Sequence, residues 1–385
     1  MSIVTMFQTT PRMLMGVGSL NQLGEEAKRL GGSKVMIVTD RGLMKAGIVD
    51  RAIQSLESAG FTVLCFDDVE ADPRYEIAIR AADAARRDHV EIMVGIGGGS
   101  SLDIAKVASI LATNEGPVSS YFGIDLVPRR GLPMVLVPTT AGTGSEVTPI
   151  AILSDEHEKL KKGIVSQYLF PAVAILDPQL TVGLPPAVTA ATGMDALIHA
   201  VEAYTSKNAT WLTDMLAREA MSLIAKNIRS AFTNGTDLDA RSKMLEGSLL
   251  AGIAFANAGV TAVHAFAYPI GAEFHIPHGV ANSMMLVPVM EFNMLGNMTK
   301  FARMAELFGE NTSGLSERDS SIKSVEFLKS LSGDLNIPSQ LREFGVQDKD
   351  VPGLARGVMK VTRLLANNPR ELTLKDAEEI YRKVL

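Results

Sequence analysis

Between residues 19 and 140 the chain alternates two hydrophobic textures. SLNQLGEEAKRLG (19–31) spaces its apolar residues as a short amphipathic helix that stops at glycine. KVMIVTD (34–40) is a continuous apolar run closed by Asp40 and predicts a strand buried on both faces. Residues 47–59 and 75–88 carry helical spacing, and FTVLCF (61–66) reads as a strand between them. EIMVGIGGGS (91–100) is a strand running into a glycine turn, SLDIAKVASILAT (101–113) a helix, and MVLVPTT (134–140) another strand. Such alternation predicts a parallel sheet covered by helices on both faces, a Rossmann-like α/β fold.

After Pro185 strand signals nearly vanish and helical periodicity takes over. LDPQLTVGLPP (176–186) interrupts both patterns, so the expected division is an α/β domain over 1–182 and an all-helical domain over 183–385. Near the end, Thr373 with Asp376 three residues later predicts a capping box opening a last helix. Residues 247–272 contain no Asp, Glu, Lys or Arg and are long enough to span a bilayer. Ala and Gly outnumber Leu and Ile there, and Asn257, His264 and Pro269 interrupt the run, so a buried helix is the expectation.

Composition narrows the class. A hydrophobic fraction of 46% with 21% charged residues is that of a globular protein. A net charge of −6 argues against nucleic acid as the main partner. The single cysteine, Cys65, allows no intramolecular disulfide, and inside FTVLCF it reads as core. The N-terminus shows no basic segment followed by an apolar one, so no signal peptide is expected and a cytoplasmic setting fits.

Chemistry concentrates in two places. Gly97, Gly98, Gly99 and Ser100 lie between a predicted strand and helix, where glycines let a phosphate approach backbone amides and the helix N-terminus favours negative charge. Pro138–Glu146 (PTTAGTGSE) is a second polar, glycine-rich loop at a strand end, with hydroxyls suited to pyrophosphate or ribose. Asp40, at another strand end, would accept hydrogen bonds from a ribose 2′-hydroxyl and repel a 2′-phosphate, favouring NAD; the alternative is a helix cap. Further on, Asp195 and His199 are four apart and share a helix face. His264 sits inside the charge-free run, where an imidazole needs partners, and His278 follows Pro277, where a helix can begin. A lone buried histidine is usually a satisfied core residue; four of the six histidines falling between 199 and 278 is not that pattern. We read Asp195, His199, His264 and His278 as one divalent-metal site whose donor set suits Fe2+ or Zn2+.

In order and approximate spacing, GIGGGSSLDIAK (95–106), PTTAGTGSEVT (138–148), GMDALIHAVEAY (193–204) and His264-x13-His278 ending in PHGVAN resemble the iron-containing (group III) alcohol dehydrogenase family. The resemblance spans nearly the whole chain. It implies a dehydroquinate synthase-like architecture with NAD(H) on the N-terminal domain, metal in the cleft, and a homodimer or larger assembly. It further implies that Asp195, His199, His264 and His278 hold the metal. Gly98, Gly99 and Ser100 then cradle pyrophosphate with Asp103 nearby, Thr139, Thr140 and Ser145 line the nicotinamide side, and Asp40 and Asp72 face the adenosine, with Lys161 on the cofactor ribose. Two departures stand out: Tyr268 replaces a common histidine four residues after the third ligand, leaving Tyr268 or His275 as proton relay, and Ala71-Asp72-Pro73-Arg74 replaces a frequent Pro-Asn-Pro-Thr. The implied reaction is hydride transfer between NAD(H) and a small primary alcohol, diol or hydroxy acid. Glycerol dehydrogenase, maleylacetate reductase and dehydroquinate synthase-like lyase activities are the alternatives, and a non-catalytic nucleotide-binding protein comes last.

Overall fold

In the computed structural model, which describes residues 4–156 and 160–385, the chain divides into two compact units. Gln8–Gly183 form one; Leu184–Leu385, with residues 4–7, form the other.

The first unit is built on a six-stranded sheet. Its strands are β1 (Met13–Met15), β2 (Lys34–Val38), β3 (Thr62–Phe66), β4 (Ile92–Gly97), β6 (Met134–Pro138) and β9 (Val173–Leu176), in the order β1-β9-β6-β4-β2-β3, with every pairing parallel. A smaller sheet orders β5 (Gly123–Ile124), β8 (Leu160–Val165) and β7 (Ile150–Asp155), with β7 and β8 antiparallel. The helices are α1 (Leu23–Leu30), α2 (Arg41–Lys45), α3 (Ile48–Ser58), α4 (Tyr75–Arg87) and α5 (Gly99–Thr113). Continuous apolar strands give the sheet two buried faces. Val35, Ile37, Val94 and Val135 pack with Leu23, Ala27, Ala52 and Leu56 of α1 and α3. Met36, Val38, Met93 and Leu136 pack with Ile77, Ala81, Leu102 and Ala105 of α4 and α5.

Two expectations are corrected. Cys65 is exposed: β3 is the edge strand of the sheet, and although Val63, Leu64 and Phe66 pack on the two cores, Cys65 stays open to solvent. The β7–β8 hairpin adds an antiparallel element that the strand–helix alternation did not predict.

The second unit is helical: α6 (Pro186–Thr205), α7 (Trp211–Thr233), α8 (Leu238–Ala258), α9 (Ala262–Phe274), α10 (His278–Asn293) and shorter helices to Arg382. The last opens with the expected box, Thr373 accepting from the Asp376 amide. The charge-free run occupies α8 and α9. Among the described residues no single helix is long and apolar enough to cross a membrane, and these two qualify only jointly, bent by 100°.

Candidate metal centre and nucleotide loops

The long helix α6 carries Asp195 and His199 one turn apart, both nearly fully buried. His264 lies in the first turn of α9, also buried, and His278 is the first residue of α10, after Pro277. Asp195, His199 and His264 each offer a ligand atom, all within 4.8 Å of one another. The Asp195 Oδ1 lies 3.9 Å from His264 Nε2 and 4.0 Å from His278 Nε2. Bonds of about 2.1 Å to a tetrahedral ion would set ligand atoms about 3.4 Å apart, so the 3.9 and 4.0 Å spacings need to close by about half an ångström and the widest spacing by more. The rings stack in series: His199 on Phe255 at 4.2 Å and on His264 at 4.8 Å, with His264 5.4 Å from His278. The first turn of α10 is pressed onto α6 so closely that a Cβ on Gly279 would meet the Ala191 carbonyl at 2.5 Å. His278, with 32% of its side chain exposed, is the open side of the cluster.

Asn282, one turn after His278, tests whether a cation fits. Its amide nitrogen lies 2.8 Å from Asp195 Oδ1 and 3.1 Å from the Nε2 of both His264 and His278. An NH2 group has two hydrogens, so it cannot serve three acceptors, and its own buried Oδ1 has no partner. Three lone pairs converging on one point, two from imidazole and one from carboxylate, suit a divalent borderline cation better than they suit an amide.

The electrostatics agree. Burial opposes charge on Asp195, but His199, His278 and His264, with the Asn282 amide, outweigh it and hold the carboxyl below its ordinary range. Burial likewise opposes charge on His264, yet the Glu202 carboxylate against its Nδ1, with Asp195 beyond, raises its pKa. Glu202 was not singled out from the sequence. It stands seven residues after Asp195 on the same face of α6, and that spacing was the available signal. Asn282 was missed as well.

The proton-relay candidates differ. The Tyr268 ring lies 6.2 Å from that of His278; burial raises the phenol pKa, partly offset by Arg363. His275 is exposed, in the left-handed conformation at φ 54° that ends α9, and no contact among the described residues joins it to the cluster.

The nucleotide candidates lie in the first unit, at the C-terminal ends of adjacent strands. Asp40 follows β2, Gly97–Ser100 end β4, and Thr139 and Thr140 follow β6. No side chain caps α5, so its first amides stay available to an anion. The second loop folds onto this turn: a Cβ at Gly99 would meet Thr143 Cγ2 at 2.7 Å, and Thr139 N donates to Gly97 O at 2.9 Å. Asp103 fastens the two together, accepting from Ser145 Oγ at 2.6 Å and from the Ile152 amide at 2.9 Å. Asp40 does cap α2, its Oδ1 accepting from Gly42 and Leu43. Asp72 and Lys161 pair with each other at 2.6 Å, and Arg74 pairs with Glu70.

Beside this loop, Glu146 is buried with its Oε1 unpartnered, and burial pushes its carboxyl up to about 7. A carboxyl raised above its ordinary 4.5 favours the protonated fold, so its contribution is present below 4.5 and lost as pH rises through 7. Glu146→Gln should therefore raise the thermal midpoint more at pH 8 than at pH 5, as read by calorimetry. An offset independent of pH would contradict this.

Residues 10–178 match the family described as iron-containing alcohol dehydrogenase, and residues 189–385 match its C-terminal part, the Fe-containing alcohol dehydrogenase family, C-terminal. The chain belongs to the iron-containing alcohol dehydrogenase family. It is 44% identical over 377 residues to long-chain-alcohol dehydrogenase 1 of Geobacillus thermodenitrificans, covering 96% of this chain and 94% of that one. It is 36% identical over 382 residues to the NAD-dependent methanol dehydrogenase of Bacillus methanolicus, covering 99% and 100%. A solved 1,3-propanediol oxidoreductase superposes with a TM-score of 0.97 at 42% identity, covering both chains fully. As a family member the chain is an alcohol/aldehyde oxidoreductase with the family's α/β and helical parts.

Proposed function

We propose that this protein interconverts a small primary alcohol, diol or hydroxy acid and its carbonyl compound, using NAD(H) and one Fe2+, with Zn2+ an acceptable substitute. The observation that carries this is the convergence of Asp195, His199 and His264 within 4.8 Å, with His278 on their open side. When bound, the cation supplies Lewis acidity at the reacting carbon–oxygen bond, and the dinucleotide supplies the hydride acceptor.

The chain's own residues do the rest. Asp195, His199, His264 and His278 hold the cation, and the Phe255 ring stacked on His199 keeps water from that side. The amides of Gly98, Gly99 and Ser100 bind pyrophosphate, with Asp103 bracing Ser145 above them. Thr139, Thr140 and Ser145 face the nicotinamide half, Asp40 and Asp72 the adenosine half, and Lys161 the ribose. The Asp40 carboxylate selects NAD over NADP by repelling a 2′-phosphate. Tyr268, its ring 6.2 Å from that of His278, passes the substrate's hydroxyl proton outward, its Oη accepting one hydrogen bond and donating another. The alternative relay is His275, exposed at the end of α9. We also infer a cytoplasmic protein that works as a homodimer or larger assembly.

The test strips the protein with a chelator, reloads it with Fe2+, Zn2+ or nothing, and assays alcohols, diols, hydroxy acids and their carbonyl partners with NAD(H) and NADP(H). Turnover only after metal loading, and faster with NAD, is expected. Full turnover by metal-free protein would overturn the reading.

A further inference from the structure

Glu202 is a carboxylate of the metal region that is not itself a ligand candidate, and it is fully buried. It follows Asp195 and His199 on the same stripe of α6, at positions i, i+4 and i+7. Its Oε1 accepts from Thr261 Oγ1 and from the Val263 amide, both at 2.7 Å. Its Oε2 makes a short contact with His264 Nδ1. Both oxygens are thus spent on three groups at the start of α9. Two of the three, a backbone amide and a ring nitrogen, cannot rotate to suit a different partner.

A neutral imidazole carries one N–H, and whichever nitrogen carries it is unable to bind a cation. A carboxylate can only accept, so Glu202 draws the hydrogen to Nδ1. Nε2 is then left as a lone pair on the side of Asp195, 3.9 Å from its Oδ1. The same carboxylate ties the first turn of α9 to α6, where free amides favour a negative charge.

We propose that Glu202 is a positioning residue of the metal centre: it fixes the Nδ1–H tautomer of His264 and pins α9 to α6, so that Nε2 is presented to the cation. The proposal rests on the metal-site reading given above and adds to it a residue that touches neither cation nor substrate.

Glu202→Gln is the informative change because it conserves size. A glutamine has one oxygen and one NH2. The Val263 amide cannot become an acceptor, so the oxygen stays there and the NH2 turns to His264. That selects the Nε2–H tautomer and removes the lone pair. Zn2+ and Fe2+ dissociation constants, measured by competition with a chromogenic chelator, should weaken by about 10- to 100-fold. NADH binding, read by fluorescence, should be unchanged. Thr261→Val removes one donor to Oε1 but leaves the Nδ1 contact, and should stay within about threefold of wild type. Glu202→Asp keeps both oxygens but draws them back, and should fall between wild type and Glu202→Gln; it also serves if Glu202→Gln does not fold. Wild-type metal affinity in either Glu202 variant overturns the proposal. So does a Thr261→Val loss as large as that of Glu202→Gln, which would make the carboxylate a helix clamp alone. A wild-type protein that retains no divalent metal would instead refute the metal-site reading, a separate outcome.

Discussion

His264→Ala should yield a protein that retains no stoichiometric metal and turns over alcohols at least about a thousand times more slowly in kcat/KM. The magnitude follows from losing several kcal/mol of Lewis-acid stabilisation, at about 1.4 kcal/mol per factor of ten. His264 is the natural target because it is the hub of the cluster: its ring stacks on His199, its Nε2 faces Asp195, and its Nδ1 meets Glu202. The variant also strands the Glu202 Oε2, so some stability is lost, on the order of 3 kcal/mol for an uncompensated buried charge. Activity and metal content are therefore compared at a temperature where circular dichroism matches wild type and NADH still binds. A metal-free His264→Ala protein with wild-type turnover would rule out the catalytic scheme.

The second large effect belongs to the other unit. Gly97→Ala should weaken NADH binding by at least about tenfold and lower the melting temperature by several degrees. Gly97 sits at φ 153°, and a Cβ there would lie 2.5 Å from Ser101 Oγ and 2.6 Å from Ser101 Cβ. Backbone strain costs about 1–2 kcal/mol, and pushing Ser101 aside about as much again. Ser101 lies in the first turn of α5, so the displacement falls on the amides proposed to hold pyrophosphate. Fluorescence titration with NADH checks it. Undiminished affinity would place the phosphates elsewhere.

How much of this could be read from the sequence depended on how local each signal was. The pair Asp195 and His199 was legible because four residues on a helix fix a shared face. Likewise the strand ends at Asp40, Gly97 and Thr139 follow from apolar runs broken by turn residues. Glu202 was legible only as a member of the Asp195 face: a glutamate late in a helix ordinarily faces solvent, and only the arrival of α9 from 59 residues away turns it into an acceptor for Thr261. Asn282 was hidden for the same reason. Cys65 misled because FTVLCF has the composition of a central strand, whereas its position at the edge of the sheet is a property of topology. The β7–β8 hairpin escaped because one of its strands begins Leu160-Lys161-Lys162, with polar residues where a buried strand would be apolar.

The cluster is assembled from three helices, α6, α9 and α10, whose contributing residues span positions 195 to 278. An unfolded chain does not hold those four side chains together, so the ion binds the native state almost alone. Its affinity is then added to conformational stability: each tenfold rise of free ion above the dissociation constant contributes about 1.4 kcal/mol. The ambient supply of divalent metal thereby governs the lifetime of the helical unit as well as how fast the enzyme works.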